Sequence, residues 1–117
     1  MSGGDPPVGN LSVSCVVEDD TAVLVLEGEL DLDGAPEMDR WLRQAADVIP
    51  DPRRLVVDLG RLAFIDSTGL RLLLQANARA QEQGYEFVLR PGEPSVQRVF
   101  EVTGAIDVLR FEDRPAG

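Results

Sequence analysis

The chain has 117 residues, enough for one domain with a core of its own and little more. It carries 21 acidic and 11 basic residues, a net charge of −10, which argues against nucleic acid or an anionic membrane as the main partner, since both attract clustered cations. All the cations are arginines and there is no histidine, so P-loop, Schiff-base and phospho-aspartate-receiver lysines, Ser-His-Asp machinery, histidine phosphocarriers and most zinc sites fall away together.

Residues 1–10 are rich in Gly and Pro and read as a flexible tail. Apolar residues alternate from Leu11 to Val17 and run almost unbroken from Ala22 to Leu26, with Glu18-Asp19-Asp20 between. That pattern predicts a hairpin of two antiparallel strands. Cys15, the single cysteine, cannot form an internal disulfide, and its place in the alternation predicts a buried core position. Glu27 to Gly34 reads as a carboxylate-rich loop. A helix follows, with Pro36 and Glu37 in its first turn and Ala35, Met38, Leu42, Ala45 and Ile49 on one face. Trp41 lies beside that stripe and is read as packing, and Pro50 ends the helix.

Leu55, Val56, Val57 and Leu59 suit a strand buried on both faces, followed by a turn. Asp66, Ser67 and Thr68 stand where strand pattern gives way to helix pattern, and Leu70, Leu73, Leu74 and Asn77 keep helical spacing. This helix should stop near Gln83, because Gly84 can take the left-handed cap conformation. Glu86 to Leu89 predicts another strand. Pro94 opens a third helix through Val96, Val99, Phe100 and Thr103, and Gly104 ends it. Val108 to Phe111 predicts a last short strand, with residues 113–117 frayed. The sum is one α/β domain over residues 11–112: a mixed sheet with an N-terminal antiparallel hairpin, parallel strands joined through helices, and the helices packed against it.

A hydroxyl, that of Ser67 or Thr68, is thus presented at the end of a rigid strand on a helix N-terminus, where free amides and the helix dipole receive a phosphate well. Its plain alternative is a helix cap worth about 1 kcal/mol. Asp66 either caps the helix or orients the hydroxyl. Gly69 allows a backbone to approach closely, from a neighbouring loop or from a partner. No run nears the ~20 apolar residues of a membrane span and no signal-type segment opens the chain, so a soluble, cytoplasmic protein is expected.

Three motifs stand at these junctions: Gly28-Glu29-Leu30-Asp31, Phe64-Ile65-Asp66-Ser67-Thr68-Gly69-Leu70 and Val99-Phe100-Glu101-Val102-Thr103-Gly104. Together they resemble the STAS domain family, in particular the bacterial anti-sigma factor antagonists, over about residues 11 to 112. The resemblance implies a phosphorylation switch. An unphosphorylated antagonist binds an anti-sigma factor that is also a serine kinase, which frees the sigma factor. The kinase phosphorylates the hydroxyl residue after the motif's aspartate, here Ser67 with Thr68 as the neighbouring alternative, and a phosphoserine phosphatase reverses this. Asp31 corresponds to the family's aspartate near that site; otherwise it is a solvated loop charge. Partner contacts are expected at Asp31, Asp66, Ser67, Thr68, Gly69, Leu70 and Arg71. Arg71 departs from the family, which commonly has a small residue there. A cation in a first helical turn opposes the dipole, so Arg71 either lays its stem over apolar surface or pairs with an acidic partner or the phosphate.

No cofactor is implied, and two other classes stay open. One is a STAS-type adaptor that is never phosphorylated. The other is a small enzyme using Asp31, Asp33, Asp58 and Asp66, disfavoured because so short a chain with few aromatic residues shows no evident substrate pocket.

Overall fold

The computed structural model describes residues 10–48 and 54–112. The expected tails and the helix positions Ile49 and Pro50 lie outside the described residues, except Asn10. The elements in order are β1 (Leu11–Glu18), β2 (Thr21–Leu30), α1 (Ala35–Val48), β3 (Arg54–Ile65), α2 (Ser67–Gln83), β4 (Glu86–Arg90) and α3 (Pro94–Thr103), then a single 3-10 turn at Ala105–Asp107.

The four strands lie in the order β1-β2-β3-β4. β1 and β2 form the expected hairpin, joined by Asp19 and Asp20, with Asp19 at φ 56° as a two-residue turn requires. β2, β3 and β4 run parallel, as strands linked through helices should. One face carries the main core. Leu24 and Leu26 of β2, Leu55, Val57 and Leu59 of β3, and Phe87 and Leu89 of β4 meet Met38 and Leu42 of α1, Leu70 and Leu73 of α2, and Val96 and Phe100 of α3. Trp41 packs against this core and donates its Nε1–H to Glu37 at 3.1 Å, in keeping with a packing role. The other face holds a smaller cluster of Val23, Val56 and Val88.

The helix ends follow local chemistry. Gly84 and Gly104 adopt φ 81° and 83° and close α2 and α3, and Pro94 opens α3, its missing N–H being an orphan at that position anyway.

The strands depart from expectation in three places. β2 runs on to Leu30, so Glu27–Leu30 is strand and not loop. β3 continues through the predicted turn to Ile65. The reason is a pair of register shifts: Val25 to Glu27 spans Asp58 to Arg61, and Gly28 to Glu29 spans Leu62 to Phe64, so β3 carries an extra residue at each. Leu59, Leu62 and Ile65 therefore share the buried face at a spacing of three, which hides the strand's period of two. Asp58 accepts the N–H of Gly60 at 2.8 Å beside the first irregularity. Thirdly, Val108–Phe111 is not a strand. Val108 is exposed after the 3-10 turn, and only Phe111 bridges to Leu89, in parallel sense. The Leu89 N–H donates to the Arg110 carbonyl at 2.9 Å and the Glu112 N–H to the Leu89 carbonyl at 2.8 Å.

Cys15 is exposed, against the core position read from the alternation. The helices cover Leu11 and partly Val13, but the strand runs past them before Cys15 and Val17. What burial remains around the thiol raises its pKa above the ordinary value, so it stays protonated at neutral pH.

The C-terminal segment is held by side chains as well. The Phe111 ring meets Phe100 edge-on at 5.1 Å, and Glu112 accepts from Arg54 and from Arg90, each at 3.0 Å. Phe111→Ala should therefore cost about 1–3 kcal/mol, combining lost burial with the aromatic pair. Urea unfolding followed by circular dichroism measures this, and a loss below about 0.5 kcal/mol would mean the segment contributes nothing.

Candidate functional site

The first turn of α2 is built from two strand ends. Leu30, the last residue of β2, pairs with Ile65, the last of β3. The Leu30 carbonyl then accepts the N–H of Asp66 at 3.2 Å. Asp66 is extended, with φ −113° and ψ −173°, and its Oδ1 accepts the N–H of Gly69 at 3.0 Å. Asp66 is thus the N-cap of α2. Helix and strand approach so closely that a β-carbon on Gly69 would lie 2.6 Å from the Leu30 carbonyl oxygen. Of the two readings of Gly69, the approach of a neighbouring segment of the same chain is the one seen.

With Asp66 as the cap, Ser67 is the first helical residue. Its side chain is exposed, and its hydroxyl makes no hydrogen bond among the described residues. Thr68 is half-buried. Gly69 and Leu70 face the core. Arg71 is exposed one turn after Ser67 and has no ion pair among the described residues; residues four apart share a helix face. The structure therefore brings Asp66, Ser67, Thr68 and Arg71 together at the surface, with Gly69 and Leu70 as their support.

Asp31 follows directly on Leu30, at the same end of the sheet. Its Oδ1 accepts the N–H groups of Asp33 and Gly34, both at 3.1 Å. This Asx turn shapes the entry to α1, whose Met38 N–H donates to the Gly34 carbonyl at 3.1 Å. Asp31 has structural work beyond any contact with a partner.

Two neighbours were not singled out from the sequence. Leu32, beside Asp31, is 69% exposed, and Phe64, three residues before Ser67, is 48% exposed. Phe64 sits across from Glu29 on the side of β3 opposite Ile65. The available signal was a large apolar residue within two positions of each motif aspartate, outside the buried spacing.

Of the four aspartates weighed as a catalytic set, Asp31, Asp33 and Asp66 lie at one end of the sheet and Asp58 stands apart from them. Asp31 and Asp66 hold turns, while Asp58 lies within the sheet with its Oδ2 3.7 Å from Arg90. No group of metal-ligating side chains occurs among the described residues. A cleft of about 250 Å³ is lined by Asn77, Gln81, Tyr85, Phe87, Val108 and Arg110, at the other end of α2, and includes none of these residues. There the Tyr85 hydroxyl has a raised pKa, chiefly from burial, with Arg79 opposing and Asp47 adding to the shift.

Residues 14–110 match a family model described as Mlab, STAS domain. In sequence the chain is 40% identical over 92 residues to BtrV of Bordetella bronchiseptica, which is named as an anti-sigma factor antagonist; the match covers 78% of this chain and 77% of that one. In structure it superposes on an anti-sigma factor antagonist from Mycobacterium paratuberculosis with a TM-score of 0.77 at 23% identity, covering 89% and 86% of the two chains. It also superposes on the Bacillus cell fate determinant SpoIIAA in its phosphorylated form, with a TM-score of 0.64 at 21% identity over 89% and 92%.

The geometry separates neighbours by what they support. Asp66→Ala should cost about 1 kcal/mol through the lost cap, and Gly69→Ala about 1–3 kcal/mol through the forced shift against Leu30. Ser67→Ala should stay within about 0.5 kcal/mol. Chemical denaturation of the three variants gives the ranking, and a Ser67→Ala loss equal to that of Asp66→Ala would make the hydroxyl a cap.

Proposed function

We propose a partner switch for this chain, which belongs to the STAS domain family of anti-sigma factor antagonists. In its unphosphorylated form it binds an anti-sigma factor that is also a serine kinase, and a sigma factor is released. The kinase transfers the terminal phosphoryl group of ATP to the Ser67 oxygen, the complex dissociates, and a phosphoserine phosphatase restores the hydroxyl. The observation that carries this reading is the division of labour at the start of α2: Asp66 does the capping, so the exposed Ser67 hydroxyl has no structural task.

The physics of the switch is local. A phosphate brings about −1.5 to −2 charges at pH 7. On its own helix it sits near unpaired amides and the positive end of the dipole, so the fold tolerates it. In a contact made around a small neutral hydroxyl, the same group costs desolvation and crowding. Turning a complex from 99:1 bound to 1:99 takes about 5.5 kcal/mol, which one phosphate buried in a contact can supply. Asp31 and Asp66 add negative charge close by. The exposed Leu32 and Phe64 give the surface apolar area of the kind that anchors a partner. Thr68 is less accessible than Ser67 and is the secondary acceptor.

Arg71 sets this chain's surface apart. Exposed and unpaired among the described residues, it offers an acidic partner group a bidentate donor that a small residue would not. No helix of the described residues is long and apolar enough to cross a membrane; a partner that holds a sigma factor places the protein in the cytoplasm.

The test is a paired capture from native cell extract with Ser67→Ala and Ser67→Asp baits. The Ala bait should retain an ATP-binding, kinase-like protein and the Asp bait should lose it, with both melting within a few degrees of wild type. The same partners on both baits would identify a phosphorylation-independent adaptor.

A further inference from the structure

Nothing on α2 answers the charge of Arg71. The first turn of the helix holds no acidic residue, and the residues three and four positions from Arg71 are Thr68, Leu74, Ser67 and Gln75, all uncharged. Glu82, close to the far end, is the one carboxylate in the helix. The carboxylates at this end of the sheet are engaged elsewhere: Asp66 accepts the Gly69 N–H, and Asp31 accepts the N–H groups of Asp33 and Gly34. Arg71 is exposed and without an ion pair among the described residues, and Ser67, one turn before it, is exposed as well.

We propose that Arg71 clamps the phosphate carried by Ser67, so that modification takes the guanidinium away from a partner as well as adding negative charge. The inference rests on the reading of Ser67 as the phosphorylated residue. Helix geometry favours the pair in three ways. Side chains four apart are neighbours on one face, with their β-carbons about 5–6 Å from each other. Long helical side chains lean toward the N-terminus, so the Arg71 stem lies back over the turn that carries Ser67 and not forward over Gln75. An anion placed N-terminal to a cation at this spacing is also the better of the two orders. The guanidinium fork matches two phosphate oxygens at once, which a point charge does not.

Phosphorylation then acts twice on the same face. In the unmodified protein Arg71 is free to meet an acidic group of the partner. Once Ser67 carries phosphate, an anion on the same helix competes for the guanidinium at high effective concentration. The face gains a negative group and loses its available cation together. A small residue at position 71 would leave only the first of these effects.

The test uses the full chain with phosphoserine encoded at position 67 during synthesis, so no kinase takes part. Phosphorus NMR follows the second ionisation of the phosphate, which lies near pH ~6 when unperturbed. A cation beside the phosphate favours the dianion and lowers that pKa. The wild-type value should lie about half a unit below that of Arg71→Gln, and the difference should shrink in ~1 M salt. Asp31 and Asp66 raise the value alike in both chains. The double variant Arg71→Gln, Gln75→Arg keeps the net charge but moves the cation a turn further away, and should titrate like Arg71→Gln. In the wild type, the Arg71 Nε–H resonance should move as the phosphate ionises. Equal values for wild type and Arg71→Gln, or a wild-type value in the double variant, would overturn the clamp. Neither outcome touches the question of whether a kinase modifies Ser67, which the paired Ala and Asp baits decide, so each reading can fail alone.

Discussion

Everything near Ser67 depends on how closely the first turn of α2 lies against the end of β2. The Leu30 carbonyl accepts the Asp66 N–H and leaves no room for a β-carbon at Gly69. Two strand ends and a helix start are locked in one joint, so Asp31, Asp66 and Ser67 are held by strands and not by a mobile loop. The same joint decides which side chain does what. Asp66, extended at the junction, is aimed at the Gly69 amide and becomes the cap; Ser67, the first residue inside the helix, points outward. The site is available because its neighbour is occupied.

Much of this was legible in the sequence, and the parts that were not share a cause. Helix ends were readable because Gly84, Gly104 and Pro94 each answer a single local requirement of φ or of a missing N–H. The strand-to-helix junction at Asp66 was readable for the same reason. Properties that depend on distant neighbours were not. β3 seemed to end at Leu59 because the unbroken apolar run stops there, yet β2 supplies pairing partners across two irregularities and the strand runs on to Ile65. Cys15 keeps a core-like alternation, but no helix reaches far enough along β1 to cover it. Val108–Phe111 has strand composition, but the 3-10 turn at Ala105–Asp107 leaves only Phe111 in register with Leu89. Which candidate site residues face outward was equally a matter of packing: the motif names Gly69 and Leu70 alongside Ser67, and only the joint shows that they support it from within.

The sheet is one-sided, and its open face is closed by charge more than by apolar cover. Val56 and Val88 are buried there although no helix residue belongs to their cluster. Around them stand Arg54, Asp58, Arg90 and Glu112, linked in a chain of contacts from 3.0 to 3.7 Å. Long arginine stems cover apolar surface while their heads stay hydrated and paired. A chain with so few cations places three of them, counting Arg110 on Glu86 at 2.8 Å, at the β4 side. β1 carries no cation of its own, and on its side Arg61 of β3 shares a hollow with Ser12, Ser14 and Glu27.

The proposed switch needs no rearrangement of the fold, for a structural reason. The phosphate proposed for Ser67 would add charge at the end of the parallel strands, beside amides that can accept it, and would change the surface offered to a partner without asking the core to move. Because β2 lies between β1 and β3, an edge strand can gain or lose a partner without moving the joint at Leu30 and Gly69. That joint fixes Ser67, so what changes at β1 leaves the geometry around Ser67 unaltered.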